Sequence, residues 1–402
     1  MSALPPDFPH DRANHSLLVS LVIIGMGFTV LFPILAPLGR EIGLSEVQIN
    51  AIIAASSLTV FLASPHWGRL SDRLGRKNTL LIGLFGFSFG TLLFNGVLAA
   101  GMTGALLGAP LFVALVVARV THAGVMSATM PSVNAYIADI TSPAERTRRM
   151  GAAGAANNLG SILGPAAAML AVVSLLTPLW LMAALAFLNG LFLWRFLPEP
   201  PQADRKATPR MAYTDARILP FVLVGVSMFT GIALVQQTMG FRFQDALTLS
   251  TAETAQMVGI AMTLSAVCSL TAQLTIVQRS RLQPFTLLTL AMPMLIVAFV
   301  MMALGTTQVL LTAAMMVQGF AMGLAGPGFT AGASLSVGPD EQGAVAGVAA
   351  SCGPLGFCIG PLIGGFLYQL EPTLPYAVVA AGYVILFLFM RRLRQRVRVH
   401  ET

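Results

Sequence analysis

Arg119 and His122 stand three residues apart in the run "PLFVALVVARVTHAGVMSATMP" (110–131), which holds no other charged or imidazole side chain. Positions i and i+3 share one face of a helix, so the two side chains would project together. A guanidinium supplies a permanent positive charge, and an imidazole gains or loses a proton near neutral pH. The pair could therefore hold a negative group and handle a proton; a histidine bonded to a nearby backbone carbonyl would give the same spacing. Asn157, Gln237 and Gln318 offer amides, and Phe28 and Thr29 an aromatic and a hydroxyl, as further wall for a binding cavity.

A second concentration of polar chemistry is "GRLSDRLGRK" (68–77), where Arg69, Asp72, Arg73, Arg76 and Lys77 crowd together although only 10% of the chain is charged. The stretch reads as a loop between two apolar segments. Gly68 and Gly75 are expected to allow a tight turn and close helix approach, and Asp72 to accept from arginines or face a helix N-terminus. All sixteen acidic residues fall in tails, loops or segment ends. An arginine at mid-bilayer depth costs roughly 2.5–3.5 kcal/mol, so Arg119 is expected to face a cavity and serve a purpose. With no carboxylate beside it, that cavity is expected to be neutral to positive. It would suit an anionic, zwitterionic or neutral solute whose negative group meets Arg119.

The elements that must position these residues are membrane helices. At 402 residues and 56% hydrophobic, the chain is too apolar for an ordinary soluble protein. About 20 apolar residues span a bilayer, and twelve such segments can be laid down: 17–38, 49–68, 79–99, 107–131, 150–172, 175–196, 218–240, 254–276, 284–305, 308–331, 343–369 and 373–390. The first is longer than a signal-peptide core and lacks a small-residue cleavage site, so it is expected to be retained. With the N-terminus inside, all but Arg40, Arg119 and Arg242 of the 23 Lys and Arg residues fall in cytoplasmic segments or tails. That bias places both termini in the cytoplasm, and it accounts for the net charge of +7 without nucleic acid as a partner. The terminal run "RRLRQRVRVH" is expected to meet anionic lipid. Cys268, Cys352 and Cys358 have neither disulfide nor metal spacing, and no cofactor is expected. "GFSFG" (86–90) lies in an apolar helix and "NHS" (14–16) in a cytoplasmic tail, so neither motif carries its usual chemistry.

The chain also divides. "PEPPQADRKATPRMAYTDAR" (198–217) has the Pro and charge content of a linker, which gives an N-terminal six-helix bundle (1–197), the linker and a C-terminal six-helix bundle (218–402). Residues 142–165 align with 338–361 at one constant shift. Under it Pro143 meets Pro339, Glu145 meets Glu341, Gly151 meets Gly347, Gly160 meets Gly356, Gly164 meets Gly360 and Pro165 meets Pro361. Pro131 meets Pro327 under the same shift. So many matches argue for duplication, and parallel six-helix repeats are an architecture of rocking transporters.

"GRLSDRLGRK" resembles the loop signature of the major facilitator superfamily, and "AYIADITSPAERTRRMG" (135–151) resembles its tetracycline and multidrug proton-antiporter branch. "GSILGP" (160–165) and "GFCIGPLIGG" (356–365) resemble the antiporter signature; the second copy is complete, the first ends in Ala168 and Met169. Arg119 matches the helix 4 arginine of a further signature, whose following glutamine and glycine are His122 and Ala123 in this chain. The resemblance implies an all-α membrane protein of twelve transmembrane helices in two pseudo-symmetric bundles, acting as a monomer in a bacterial inner membrane, and not an enzyme. It implies proton-coupled export of a small drug or metabolite, with His122 or Asp139 carrying the proton. It makes Gly68, Asp72, Arg73, Gly75 and Arg76 a latch, with Asp139 holding Arg73, and makes Gly160, Gly164, Pro165, Gly356, Gly360 and Pro361 contacts that move. Two other readings are proton-coupled uptake of a small organic acid and a membrane-embedded lipid-handling protein or enzyme. The second lacks the polar catalytic cluster it would need.

Overall fold

The computed structural model describes residues 10–141, 143–200, 211–280, 282–338 and 341–401; for 10–12, 143–144, 146–148 and 392–401 only the backbone is described. Half of the 198–217 linker (201–210), Pro339, and the side chains of Pro143, Arg146 and Arg148 therefore lie outside the described residues. Among the described residues twelve helices are long and apolar enough to cross a membrane: α1 (Ala13–Glu41), α2 (Glu46–Leu74), α3 (Arg76–Met102), α4 (Gly108–Asp139), α5 (Arg149–Val172) and α6 (Thr177–Phe196), followed by α7 (Leu219–Leu247), α8 (Thr251–Val277), α9 (Pro284–Leu304), α10 (Gln308–Leu335), α11 (Gln342–Leu370) and α12 (Leu374–Arg391). No β-strand occurs among the described residues. Large apolar side chains such as Phe89, Val117, Leu188 and Ile385 are exposed, which is what a surface solvated by lipid requires.

The chain separates into two compact units, Met1–Lys206 with Thr251–Gly259, and Ala207–Ser250 with Ile260–Thr402. In the first, Leu17, Leu21, Leu80, Leu84, Val133 and Tyr136 pack into one core from α1, α3 and α4. In the second, Ile218 packs with Ala333, Val345 and Val348 from α10 and α11. Arg242, near the end of α7, is buried and donates to the carbonyls of Met302, Ala303 and Gly305, satisfying the C-terminus of α9.

Helix starts and breaks follow local chemistry. Ser45 and Gln48 form a reciprocal capping box at the start of α2. Helix α4 breaks at Ser127–Ala128, where Pro131 cannot donate to the carbonyl four residues back. The stretch 68–77 departs from the expected loop. Helix α2 continues to Leu74, and α3 begins at Arg76. The turn is confined to Gly75, whose φ of +95° is costly for any residue with a Cβ. Gly68 sits within α2, where an added Cβ would meet nothing within 4 Å, so the close approach expected of it belongs to Gly75 alone.

The paired glycines seat helices in both units. Gly160 and Gly164 on α5 lie against the backbone of Val22, Met26 and Val30 on α1; Gly356 and Gly360 on α11 lie against Phe229, Thr230 and Leu234 on α7. Pro165 and Pro361 lie inside these same helices. The sequence repeat thus returns as one packing motif used twice, in each case within a unit.

Candidate functional site

The first unit carries a polar cluster in its interior. Helix α4 projects Arg119 and His122 from one face, as their spacing requires, and Arg119 Nη1 lies 2.8 Å from His122 Nδ1. Arginine stays protonated, so it donates and Nδ1 accepts. The His122 ring is only 3% exposed, meets Phe87 edge-on at 5.0 Å, and fits against α3 because residue 90 is glycine: a Cβ there would come within 2.7 Å of the imidazole. Arg119 is half-buried as a residue, its Nε fully so, and its guanidinium lies 5.6 Å from the Phe94 ring centroid. Between these groups is a cavity of about 10 Å³, room for one small occupant. It is lined from α1, α3, α4 and α6, with Phe87, Phe94, Leu179 and Met182 as apolar wall and Thr91, Arg119 and His122 as polar groups.

The other expected site residues divide. Phe28 packs edge-on to Phe32. Thr29 is buried, and its hydroxyl donates to backbone carbonyls, including Ser161 of α5 at 3.2 Å; it ties two helices together rather than facing a cavity. Asn157 is partly buried on α5, its backbone carbonyl accepting from Ser161 Oγ. Gln237 and Gln318 are buried in the second unit, and both amide atoms of Gln237 lack a hydrogen-bond partner among the described residues. Within the first unit the structure thus brings Arg119 and His122 together, and Gln237 and Gln318 belong to the other unit.

A second cluster closes one end of the first unit. Arg76, at the start of α3, donates through Nε to Asp139 Oδ2 at 2.9 Å, and both side chains are almost completely buried. Its Nη2 meets Asp72 at 2.5 Å and its Nη1 donates to Ser71. This corrects the expected pairing: Asp139 holds Arg76, while Arg73 is exposed on α2. The reason is Gly75, which reverses the chain and turns the residue after it inward. Replacing Asp139 by Ala leaves Arg76 with Asp72 as its remaining carboxylate. Loss of one partner from a buried ion pair costs about 3–5 kcal/mol when nothing replaces it, so with Asp72 retained about 2 kcal/mol is expected. Arg73→Ala should cost less than about 0.5 kcal/mol. Thermal unfolding of the two purified variants checks the difference.

Glu199, just beyond α6 in the stretch expected to be a linker, belongs to the same cluster. Its carboxylate accepts from the backbone amides of Arg76 and Lys77, capping the exposed N–H groups of α3 in place of Asp72. Next to it the Tyr136 hydroxyl donates to the carbonyl of Pro198. The available signal is an uncapped helix start, Gly75 standing where Ser, Thr or Asp would normally be. Glu199→Gln is expected to speed hydrogen exchange at residues 76–78 about fivefold, corresponding to about 1 kcal/mol of capping.

In the second unit Arg217 plays a similar bridging part. It donates to Asp215 at 2.8 Å and to Glu341, before α11, at 2.8 and 2.9 Å. These bonds pull the Asp215 carboxyl down to about 2 and lower that of Glu341. A depressed carboxylate stabilises above its unfolded value and loses that contribution as pH falls towards 2, so the bridge stays charged at any neutral pH.

The Major Facilitator Superfamily profile matches residues 17–353 and 287–402. The chain is 27% identical to Multidrug resistance protein 1 of Bacillus subtilis over 373 residues, 90% of each chain. It is 25% identical to Quinolone resistance protein NorA of Staphylococcus aureus over 387 residues, covering 92% of this chain and 94% of that one. The crystal structure of the nucleoside transporter NupG shares the fold with a TM-score of 0.75 at 15% identity, covering 94% of this chain and 98% of that one. With twelve apolar helices and a profile match along its length, the chain is a multi-pass membrane transporter, not an enzyme, and belongs to the Major Facilitator Superfamily.

Proposed function

We propose that the protein exports a small amphipathic drug or metabolite, anionic, zwitterionic or neutral, in exchange for protons, its two bundles rocking to give alternating access. The observation that carries this reading is the likeness to resistance proteins over about nine-tenths of the chain; resistance through a transporter requires outward flux. The solute class follows from charge. No Asp or Glu occupies the middle of a described span, so a permanent cation would enter without a counter-charge, at high cost in a low dielectric.

Proton coupling is assigned to His122, the imidazole buried at depth in the first unit. A proton reaches Nδ1 only when the Arg119 bond opens, which ties titration to a movement of side chains on α4. Asp139 is less suited while it lies buried against the Arg76 guanidinium. The bundle end bearing residues 68–77 would face the cytoplasm of a bacterial inner membrane, with both termini on that side and Asp139, Arg76 and Glu199 serving as the latch. A panel of labelled drugs and organic acids offered to everted vesicles tests the reading. Accumulation should require an acid interior and collapse with a protonophore. Accumulation only in right-side-out vesicles would overturn export.

A further inference from the structure

We propose that the internal cavity of the first unit binds a monatomic anion, a halide, between Arg119, His122 and Thr91. The argument is one of donors. Arg119 Nη1 donates to His122 Nδ1, which leaves the proton of the neutral ring on Nε2. That Nε2 is buried and has no partner, and the same holds for Arg119 Nε and Thr91 Oγ1. His122 is 3% exposed and Thr91 6%. All three residues line one cavity, whose remaining wall is apolar and contains no acidic side chain. Three unpartnered groups able to donate thus belong to residues that line one space, and no carboxylate lines it.

Two kinds of occupant fit about 10 Å³: a water or a single ion. That volume is the lower limit for one water-sized occupant, so a halide, slightly larger than water, seats there with a small outward shift of the apolar side chains. The charge decides between the two. A guanidinium in apolar surroundings, with no carboxylate beside it, is stabilised far more by a full negative charge than by a water dipole. A water would also need acceptors for its own protons, and the cavity's polar side chains are chiefly donors. A halide uses all three donors and neutralises the guanidinium. The site does not depend on the transport reading, since a protein that moved nothing would still bind the ion.

The test uses the full-length protein in detergent, with chloride or bromide replacing gluconate at constant ionic strength. The unfolding midpoint should rise saturably with either halide. Thr91→Val and His122→Phe each remove one donor and should weaken the apparent halide affinity about tenfold. Crystals grown in bromide should show anomalous bromine scattering inside the cavity, a readout that needs no variant to fold. A midpoint indifferent to halide, unchanged affinity in both folded variants, or a cavity containing water only in the bromide crystals would overturn the proposal. None of these results would bear on drug flux in vesicles.

Discussion

Arg119→Ala is expected to reduce transport about a hundredfold while leaving membrane abundance within about twofold of wild type. The two halves of that statement have different causes. Abundance reflects stability, where opposing effects nearly cancel. The substitution removes an insertion penalty of roughly 2.5–3.5 kcal/mol. It forfeits a charged hydrogen bond to His122, worth about 1.5–3 kcal/mol, and a ring contact with Phe94 of about 0.5–2 kcal/mol. Transport has no such compensation. If the guanidinium controls when His122 can accept a proton, its loss removes on the order of 3 kcal/mol from the step that uses it, about a hundredfold in rate. Arg119→Lys keeps the charge but not the planar fork, and should recover only part of the activity. Drug accumulation in everted vesicles, normalised to immunoblotted protein, checks both halves. Full transport by the alanine variant would remove Arg119 from the mechanism.

The helices were legible because a bilayer imposes one length and one composition on every segment that crosses it, and the twelve apolar runs meet both. Their ends were less so. Helix α2 continues through Arg69 and Asp72, since charged residues need not end a helix once it has left the hydrocarbon. The one true break, Gly75, is marked by backbone conformation, which hydropathy does not report. Within the sites, Arg119 and His122 could be paired from spacing, since both lie on one helix turn. Asp139 with Arg76 could not, because the partner is chosen by how a turn aims the arginines on either side of it. Glu199 lies 123 residues from Arg76, and no local pattern connects a carboxylate among prolines with a helix start that distant. The small internal cavity was also hidden. Its walls come from four helices, and its volume depends on how Phe87 and Phe94 pack beside them.

Gly160→Leu and Gly356→Leu should each abolish recovery of folded protein, whereas Gly151→Ala should leave it unchanged or slightly higher. At Gly160 a Cβ would fall on the Val22 carbonyl oxygen, 2.8 Å from its carbon and 2.9 Å from Met26 N. At Gly356 it would lie 2.6 Å from both the Phe229 carbonyl carbon and Thr230 N. Most of these atoms are backbone, so no rotamer change relieves the clash and the helices must separate. Overpacking by a methyl or two in a close-packed core costs about 1–3 kcal/mol; a leucine at a backbone-to-backbone contact exceeds that. Water gives no repayment either, because helix association in lipid rests on packing and close approach rather than on hiding apolar surface. Gly151 has nothing within 4 Å of a Cβ, and alanine there gains about 0.5–1 kcal/mol of helix preference. Size-exclusion chromatography of detergent extracts after graded heating separates the cases. The duplicated motif makes the comparison internal: equal losses in the two halves are expected because α5 on α1 and α11 on α7 are the same contact built twice. A Gly160→Leu protein as heat-resistant as Gly151→Ala would mean that the α1–α5 seam opens to admit a side chain and that the close contact contributes nothing to stability.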